Sequence, residues 1–188
     1  MYKICHTEES SRRQRELEQG LLAMMTHQRF EEISVSDLCD RMGIPRKSFY
    51  RYFSGKDGAL HALIDHTLAD CNDIALGGWD GTTALNERVQ LSFFRYWKNR
   101  KPFLDAVKEN DLQHLLLDRT TVIVDRMKEN RKADTFAREQ VEYFVAHGLM
   151  TTVLRWHHFG FPSSPEEMAR IFGTLLSSTD VSMARLLL

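Results

Sequence analysis

Ser34-Val35-Ser36-Asp37-Leu38-Cys39-Asp40-Arg41-Met42-Gly43-Ile44-Pro45-Arg46-Lys47-Ser48-Phe49-Tyr50-Arg51-Tyr52-Phe53 is the stretch that decides the architecture. A hydroxyl at Ser34 and a carboxylate at Asp37, three residues on, form the reciprocal pair that starts a helix. Val35, Leu38 and Met42 then recur on one face, and Gly43 supplies the left-handed residue that ends it. Met42-Gly43-Ile44-Pro45 joins this helix to a second short one over about 45–53. Two short helices across so tight a joint make a helix-turn-helix, whose second helix fits the major groove of DNA. In that second helix Phe49 and Phe53 are expected to face a small core. Arg46, Lys47, Ser48 and Arg51 are left outward. Arginine and lysine reach guanine N7 and O6, and serine is permissive. Tyr50 and Tyr52 carry hydroxyls suited to phosphate oxygens, and Lys56 adds charge at a helix start whose amides already attract phosphate.

Charge points the same way once it is read locally. The 188-residue chain has a net charge of -1, but residues 41–56 hold five bases (Arg41, Arg46, Lys47, Arg51, Lys56) and no acid. A compact basic patch binds phosphate even on a nearly neutral molecule. Taken alone the stretch would pass for a solvated helix face. The caps, the glycine turn and the aromatic spacing together argue for DNA.

Outward from this stretch the chain reads as helix throughout. A first helix is expected over about 10–27, with Leu17, Leu21, Met24 and Met25 on one face. Further helices are expected at about 55–74, 83–99, 102–109, 111–131, 134–159 and 164–186. Ser164-Pro165-Glu166-Glu167 starts the last with a hydroxyl cap, a first-turn proline and two acids at the positive end of the dipole. Prolines 45, 102, 162 and 165 and the cluster Gly77-Gly78-Trp79-Asp80-Gly81 fall between helices. Thr120-Thr121-Val122-Ile123-Val124 is the best strand candidate, but its Leu-rich and charged flanks favour helix. The expected fold is all-α with about nine helices: a three-helix head over 1–54 and a C-terminal helical bundle over 55–188, with helix 55–74 as connector.

Other function classes find little support. With 43% hydrophobic and 27% charged residues the composition is that of an ordinary globular protein. No apolar run is long enough for a membrane span, and the N-terminus lacks a signal-peptide pattern, so a cytoplasmic location is expected. Cys5, Cys39 and Cys71 are odd in number with no CxxC, so no disulfide framework or zinc site is indicated. His61 and His66 are five apart and His157 and His158 adjacent, which suits no metal-ligand set. There is no GxSxG, no phosphate-cradling glycine loop and no evident carboxylate pair, so neither catalytic residues nor a cofactor are expected.

With Phe30-Glu31-Glu32-Ile33 before it and Ser54-Gly55-Lys56-Asp57-Gly58-Ala59-Leu60 after it, the opening stretch resembles the DNA-binding signature of TetR-family repressors. The resemblance covers about 50 residues, and its most specific part is Phe49-Tyr50-Arg51-Tyr52-Phe53 followed by Lys56 and Leu60. It implies that Tyr50 and Lys56 touch phosphates, that Ser34 and Ser36 meet the DNA backbone, and that Arg46, Lys47 and Ser48 approach bases. Pro45 departs from the family, which usually has a capping serine there, so the start of the second helix is expected to shift.

A second resemblance lies in Tyr143-Phe144-Val145-Ala146-His147-Gly148-Leu149-Met150, Leu154-Arg155-Trp156 and the segment from Phe159 to Met168. It is similar to the C-terminal domain of a TetR subgroup that includes regulators near dihydroxyacetone kinase genes. The resemblance implies a homodimer through helices about 134–159 and 164–186, where Ala146, Leu149, Val153, Ile171, Leu175, Leu176 and Met183 suit a four-helix interface. It also implies that 55–188 binds an effector. Phe93, Phe94, Trp97, Phe103, Tyr143 and Trp156, with His114 and His147, are the candidate pocket residues; ordinary core packing explains the same spacings. The function expected is a regulator of transcription, a repressor released from a palindromic double-stranded DNA operator by a small molecule. The alternative is a protein of the same fold that acts through a protein partner.

Overall fold

The cap signals of the sequence reappear as helix ends in a computed structural model, which describes residues 1–75, 77, 87–129 and 136–178. Among the described residues there are nine α-helices and no strand: α1 (Glu8–Met25), α2 (Val35–Met42), α3 (Arg46–Phe49), α4 (Lys56–Asp70), α5 (Glu87–Lys98), α6 (Lys101–Glu109), α7 (Gln113–Glu129), α8 (Phe136–His158) and α9 (Pro165–Ser178). The fold is all-α, as expected from the sequence. The strand candidate at 120–124 lies inside α7.

α1 starts two residues earlier than expected, with Thr7 as its cap: the Thr7 hydroxyl accepts a bond from the Ser10 amide at 3.2 Å. Leu17, Leu21, Met24 and Met25 are buried, and Gln14 and Glu18 are buried with them. α4 ends at Asp70 and continues as one π-helical turn, Cys71–Ala75. α6 closes on Asp111, in the left-handed region at φ 56°, with the Leu112 amide donating to the Val107 carbonyl at 2.9 Å. That left-handed stop delays α7 to Gln113, two residues later than expected. At the start of α9, the Glu167 amide donates to the Ser164 hydroxyl at 3.1 Å and the Ser164 amide to the Glu167 carboxylate at 2.7 Å. Positions 83–86, 130–131, 134–135 and 179–186 of the expected helices, and Met183, lie outside the described residues, as do the side chains of Leu175 and Leu176.

The chain divides into two compact units. The first takes Met1–Thr67 and Pro102–Leu112, and the second the described residues of Leu68–Lys101 and Gln113–Leu188. The first unit therefore holds more of the chain than the expected head of 1–54. It includes most of α4, and its core holds Phe103, Leu104, Ala106 and Val107 of α6 beside the aromatic and aliphatic residues of α1 to α4. In the second unit α5 packs along α9, and α7 along α8. No described helix is long and apolar enough to cross a membrane.

Candidate nucleic-acid interface

The turn between α2 and α3 is built by local chemistry. The Ser34 hydroxyl accepts from the Asp37 amide at 3.1 Å, and the Asp37 carboxylate accepts from the Ser34 amide at 3.0 Å. The Ser34 hydroxyl also donates to the Asp37 carboxylate at 2.6 Å, and this bond first, then that from the Ser34 amide, with Arg46 nearby, holds the Asp37 carboxyl below its ordinary value. At the other end Gly43 stands at φ 63°, ψ 34°. Its amide and that of Ile44 reach back to the carbonyls of Asp40 and Cys39 at 3.2 and 3.0 Å. A residue with a Cβ is strained in this conformation, which is why glycine closes the helix.

α3 is shorter than the expected 45–53. Pro45 takes its N-cap position with an extended backbone and no side-chain hydrogen bond. Beyond Phe49 the coil tightens, with Arg51 and Tyr52 amides donating to the carbonyls three residues back, Ser48 and Phe49, at 3.3 and 3.0 Å. The regular α-helix lasts one turn, Arg46–Phe49. Its orientation comes from two fully buried rings, Phe49 and Phe53, whose centroids are 5.1 Å apart. Both face the core, as the four-residue spacing indicates.

The other side of this segment faces solvent. Arg46, Lys47 and Arg51 are exposed, and Tyr50 is 51% exposed. Ser34 is exposed, while Ser36 and Ser48 are half-buried. Two of the expected contacts are placed differently. Tyr52 is buried, with 9% of its surface accessible, and with Ser48, Arg51, Leu17, Met42 and Ile44 it lines a groove of about 480 Å³ between α1 and the turn. Its placement turns it toward α1, whereas Tyr50 stays outward. Lys56 is half-buried: its Nζ donates to the carbonyls of Phe30 and Glu31, each at 2.8 Å, and lies 4.7 Å from the centre of the Phe30 ring. Its charge thus stabilises the entry to α2 through those carbonyls.

Residues that sequence reasoning passed over hold the same entry from the other side. Asn110, buried at the end of α6, accepts from the Phe30 amide at 2.5 Å and donates to the Ala106 carbonyl at 2.8 Å. Arg29 donates to the Glu109 carbonyl and to the Asp111 carboxylate, the latter at 3.1 Å. No local signal marks these pairs, whose members are about 80 residues apart.

The candidate effector residues separate into groups. Phe93, Phe94 and Trp97 on α5 are buried ring against ring, and Phe94 stands edge-on to Trp156 of α8 at 5.7 Å. Tyr143 and His147 of α8 meet α7 instead: the Tyr143 hydroxyl donates to Asp125, and Thr121 Oγ1 lies 3.1 Å from His147 Nε2. His147 Nδ1 lies 2.9 Å from the Tyr143 carbonyl and so donates to it, which leaves Nε2 to accept from Thr121. His114 is exposed, and Phe103 belongs to the first unit.

Comparison with known proteins fits this geometry. The family model described as "Bacterial regulatory proteins, tetR family" matches residues 21–63, and one described as "Transcriptional regulator C-terminal region" matches residues 87–178. No curated protein matches the sequence. Among solved structures, the dihydroxyacetone kinase operon activator DhaS is similar over 88% of this chain and 94% of its own, at 18% identity and a TM-score of 0.58. The fatty acid degradation regulator FadR from Bacillus halodurans is similar over 94% of this chain and 98% of its own, at 12% identity and a TM-score of 0.56. A transcriptional regulator from Pseudomonas aeruginosa is similar over 95% of each chain, at 14% identity and a TM-score of 0.57. At these identities the structural likenesses speak for the fold. With both family models and the helix-turn-helix in agreement, the chain belongs to the TetR family of DNA-binding transcriptional regulators.

Proposed function

We propose that the protein is a sequence-specific repressor that binds a palindromic operator as a homodimer and leaves it when a small effector binds. One observation carries the reading. Three cations, Arg46, Lys47 and Arg51, and the half-exposed Tyr50 stand on the solvent side of a segment whose other side is fully buried. The contacts divide by chemistry. Arg46, Lys47 and Ser48 read bases, while Tyr50, Arg51 and the start of α2 at Ser34 and Ser36 meet phosphates.

Residues 1–54 act as the reading head, 55–188 as the dimerising and effector-binding part, and helix 55–74 connects them. Support for self-association comes from α8 and α9. Phe144 is 74% exposed on α8, one turn from an open Gly148, and Ile171 is 46% exposed on α9. Two heads presented one turn of DNA apart, roughly 34 Å, match successive major grooves of a palindrome. The effector works by preferring a spacing the operator does not accept, so its differential affinity lowers occupancy. An effector entering the second unit would meet the apolar rings of Phe93, Phe94, Trp97 and Trp156, which pack on one another. The protein acts in the cytoplasm, where the chromosome is. Occupying an operator represses by default; because one structural neighbour is named an activator, the sign is read with a reporter gene.

The test is a selection of duplexes from a random pool by the wild-type protein, followed by affinity measurements across salt concentrations. A palindrome is expected to emerge, and its affinity to fall steeply as salt rises, because phosphate contacts release counterions. A protein that works only through a protein partner would enrich no sequence at any salt.

A further inference from the structure

We propose that Tyr2 is a positioning residue for DNA recognition: it fastens an N-terminal strap over the chain leaving α3 and so fixes where the cations of α3 point. The proposal rests on the DNA-binding reading above.

Residues 1–3 run antiparallel to residues 52–54, with Tyr2 bridged to Phe53. The Lys3 amide donates to the Tyr52 carbonyl at 2.9 Å, and the Ser54 amide to the Met1 carbonyl at 3.1 Å. The Ser54 hydroxyl donates to the same Met1 carbonyl at 2.8 Å. These bonds serve backbone groups just where the helical ladder of α3 has run out, and backbone groups there need partners.

The side chain of Tyr2 then ties the strap to α4. Its hydroxyl donates to Asp65 Oδ2 at 2.6 Å, and its ring stands edge-on to His66 at 5.6 Å. Asp65 is fully buried. His66 in turn holds α1, its Nδ1 lying 2.9 Å from both carboxylate oxygens of the fully buried Glu18. The strap is held along its length as well. Gln14 Nε2 donates to the Lys3 carbonyl at 3.3 Å, and the Cys5 thiol to Gln14 Oε1 at 2.9 Å. At Gly58 a Cβ would stand 2.3 Å from the Met1 carbonyl oxygen, so the strap lies directly on the first turns of α4.

This construction answers a mechanical need. A single helical turn without a capping side chain does not hold its own geometry. Phe49 and Phe53 fix how deep α3 sits. A strap bonded to residues 52–54 on one side and to Asp65 on the other adds a second line of attachment, which resists roll about the first. Terminal segments are poorly ordered unless tied down, and this one is tied to the element that the cations depend on.

The test uses the full chain and two substitutions that release the strap by different routes. Tyr2→Phe keeps the ring and removes the hydroxyl, and Gly58→Ala places a methyl where the Met1 carbonyl lies. Each is expected to weaken binding to the selected palindrome on the order of fivefold to tenfold, at temperatures where the variant is fully folded. The slope of log affinity against log salt stays at the wild-type value, because no phosphate contact is lost. In the free protein, Tyr2→Phe raises hydrogen exchange at the Lys3 and Ser54 amides. Wild-type affinity in both variants, or wild-type exchange at those two amides, overturns the proposal. A shallower salt slope in Tyr2→Phe overturns it too, since it would make Tyr2 a direct contact. Failure of the underlying reading is seen separately, as a wild-type protein that enriches no duplex, and the positioning role falls with it.

Discussion

α2 and α3 lie on the two sides of one turn and are stabilised in opposite ways. α2 is closed at both ends by its own residues: eight residues, a reciprocal Ser34–Asp37 cap at one end, and a left-handed Gly43 at the other. α3 has four residues, a proline for a cap and no side chain bonded to its free amides. What holds α3 is its packing on the body of the head, in the burial of Phe49 and of Phe53 after it, and the bonds to residues 52–54. The helix that presents the cations is therefore oriented by the body of the head. Changes beneath it should disturb DNA binding more than changes to its own helical propensity.

The largest effect should come from removing the anchor. Phe49→Ala deletes a fully buried ring and is expected to cost about 3–5 kcal/mol of stability, read by urea unfolding. A loss below about 1 kcal/mol, the scale of an ordinary point substitution, would show that the ring does not carry α3. Breaking α2 from within should cost less. Gly43→Ala forces a Cβ into the left-handed region, for about 1–2 kcal/mol, and Ser34→Ala removes a cap worth about 1 kcal/mol. Equal losses for Phe49→Ala and Ser34→Ala would erase the contrast between the helices.

Acid sharpens the same contrast. The Asp37 carboxyl is held below its ordinary value by Ser34, so its ionised form favours the folded state. The stability it contributes is present above the unfolded carboxylate value, about 3.9. It is lost as pH falls through the lower folded value. Melting temperatures followed from pH 6 downward should drop further for wild type than for Asp37→Asn, with the two converging in strong acid; parallel curves would contradict the cap. The smallest effect is expected at Pro45→Ser. A new capping hydroxyl would add about 0.5–1 kcal/mol, while the looser unfolded chain takes back about 0.4–1 kcal/mol. A large change of either sign would mean that Pro45 has a role beyond its backbone angle.

Much of this was legible in the sequence because the signals were local. Ser34, Asp37 and Gly43 act within one helix, so the bounds of α2 follow from spacing alone. The four-residue interval between Phe49 and Phe53 likewise placed the buried side of α3. What escaped was long-range. The aromatic run 49–53 reads as continuous helix, whereas the chain tightens after Phe49 and residues 52–54 pair with residues 1–3. Lys56 looks like a free cation until the carbonyls of Phe30 and Glu31 are brought to it. Tyr52 differs from Tyr50 only in the direction that packing gives it. Phe103 reads as part of one aromatic group with Phe93, Phe94 and Trp97, yet α6 carries it into the first unit. The Tyr2 hydroxyl meets Asp65 of α4, 63 residues along the chain, a distance that no spacing rule reads.

The central claim, that an externally held α3 reads bases with its cations, is tested most directly by the ratio of affinities for the selected palindrome and for a scrambled duplex. Arg46→Ala and Lys47→Ala should each lower that ratio about tenfold, the scale of one base-edge contact. Tyr50→Phe should weaken binding to both duplexes and leave the ratio unchanged. If all three variants bind both duplexes as the wild type does, α3 is not the reading element.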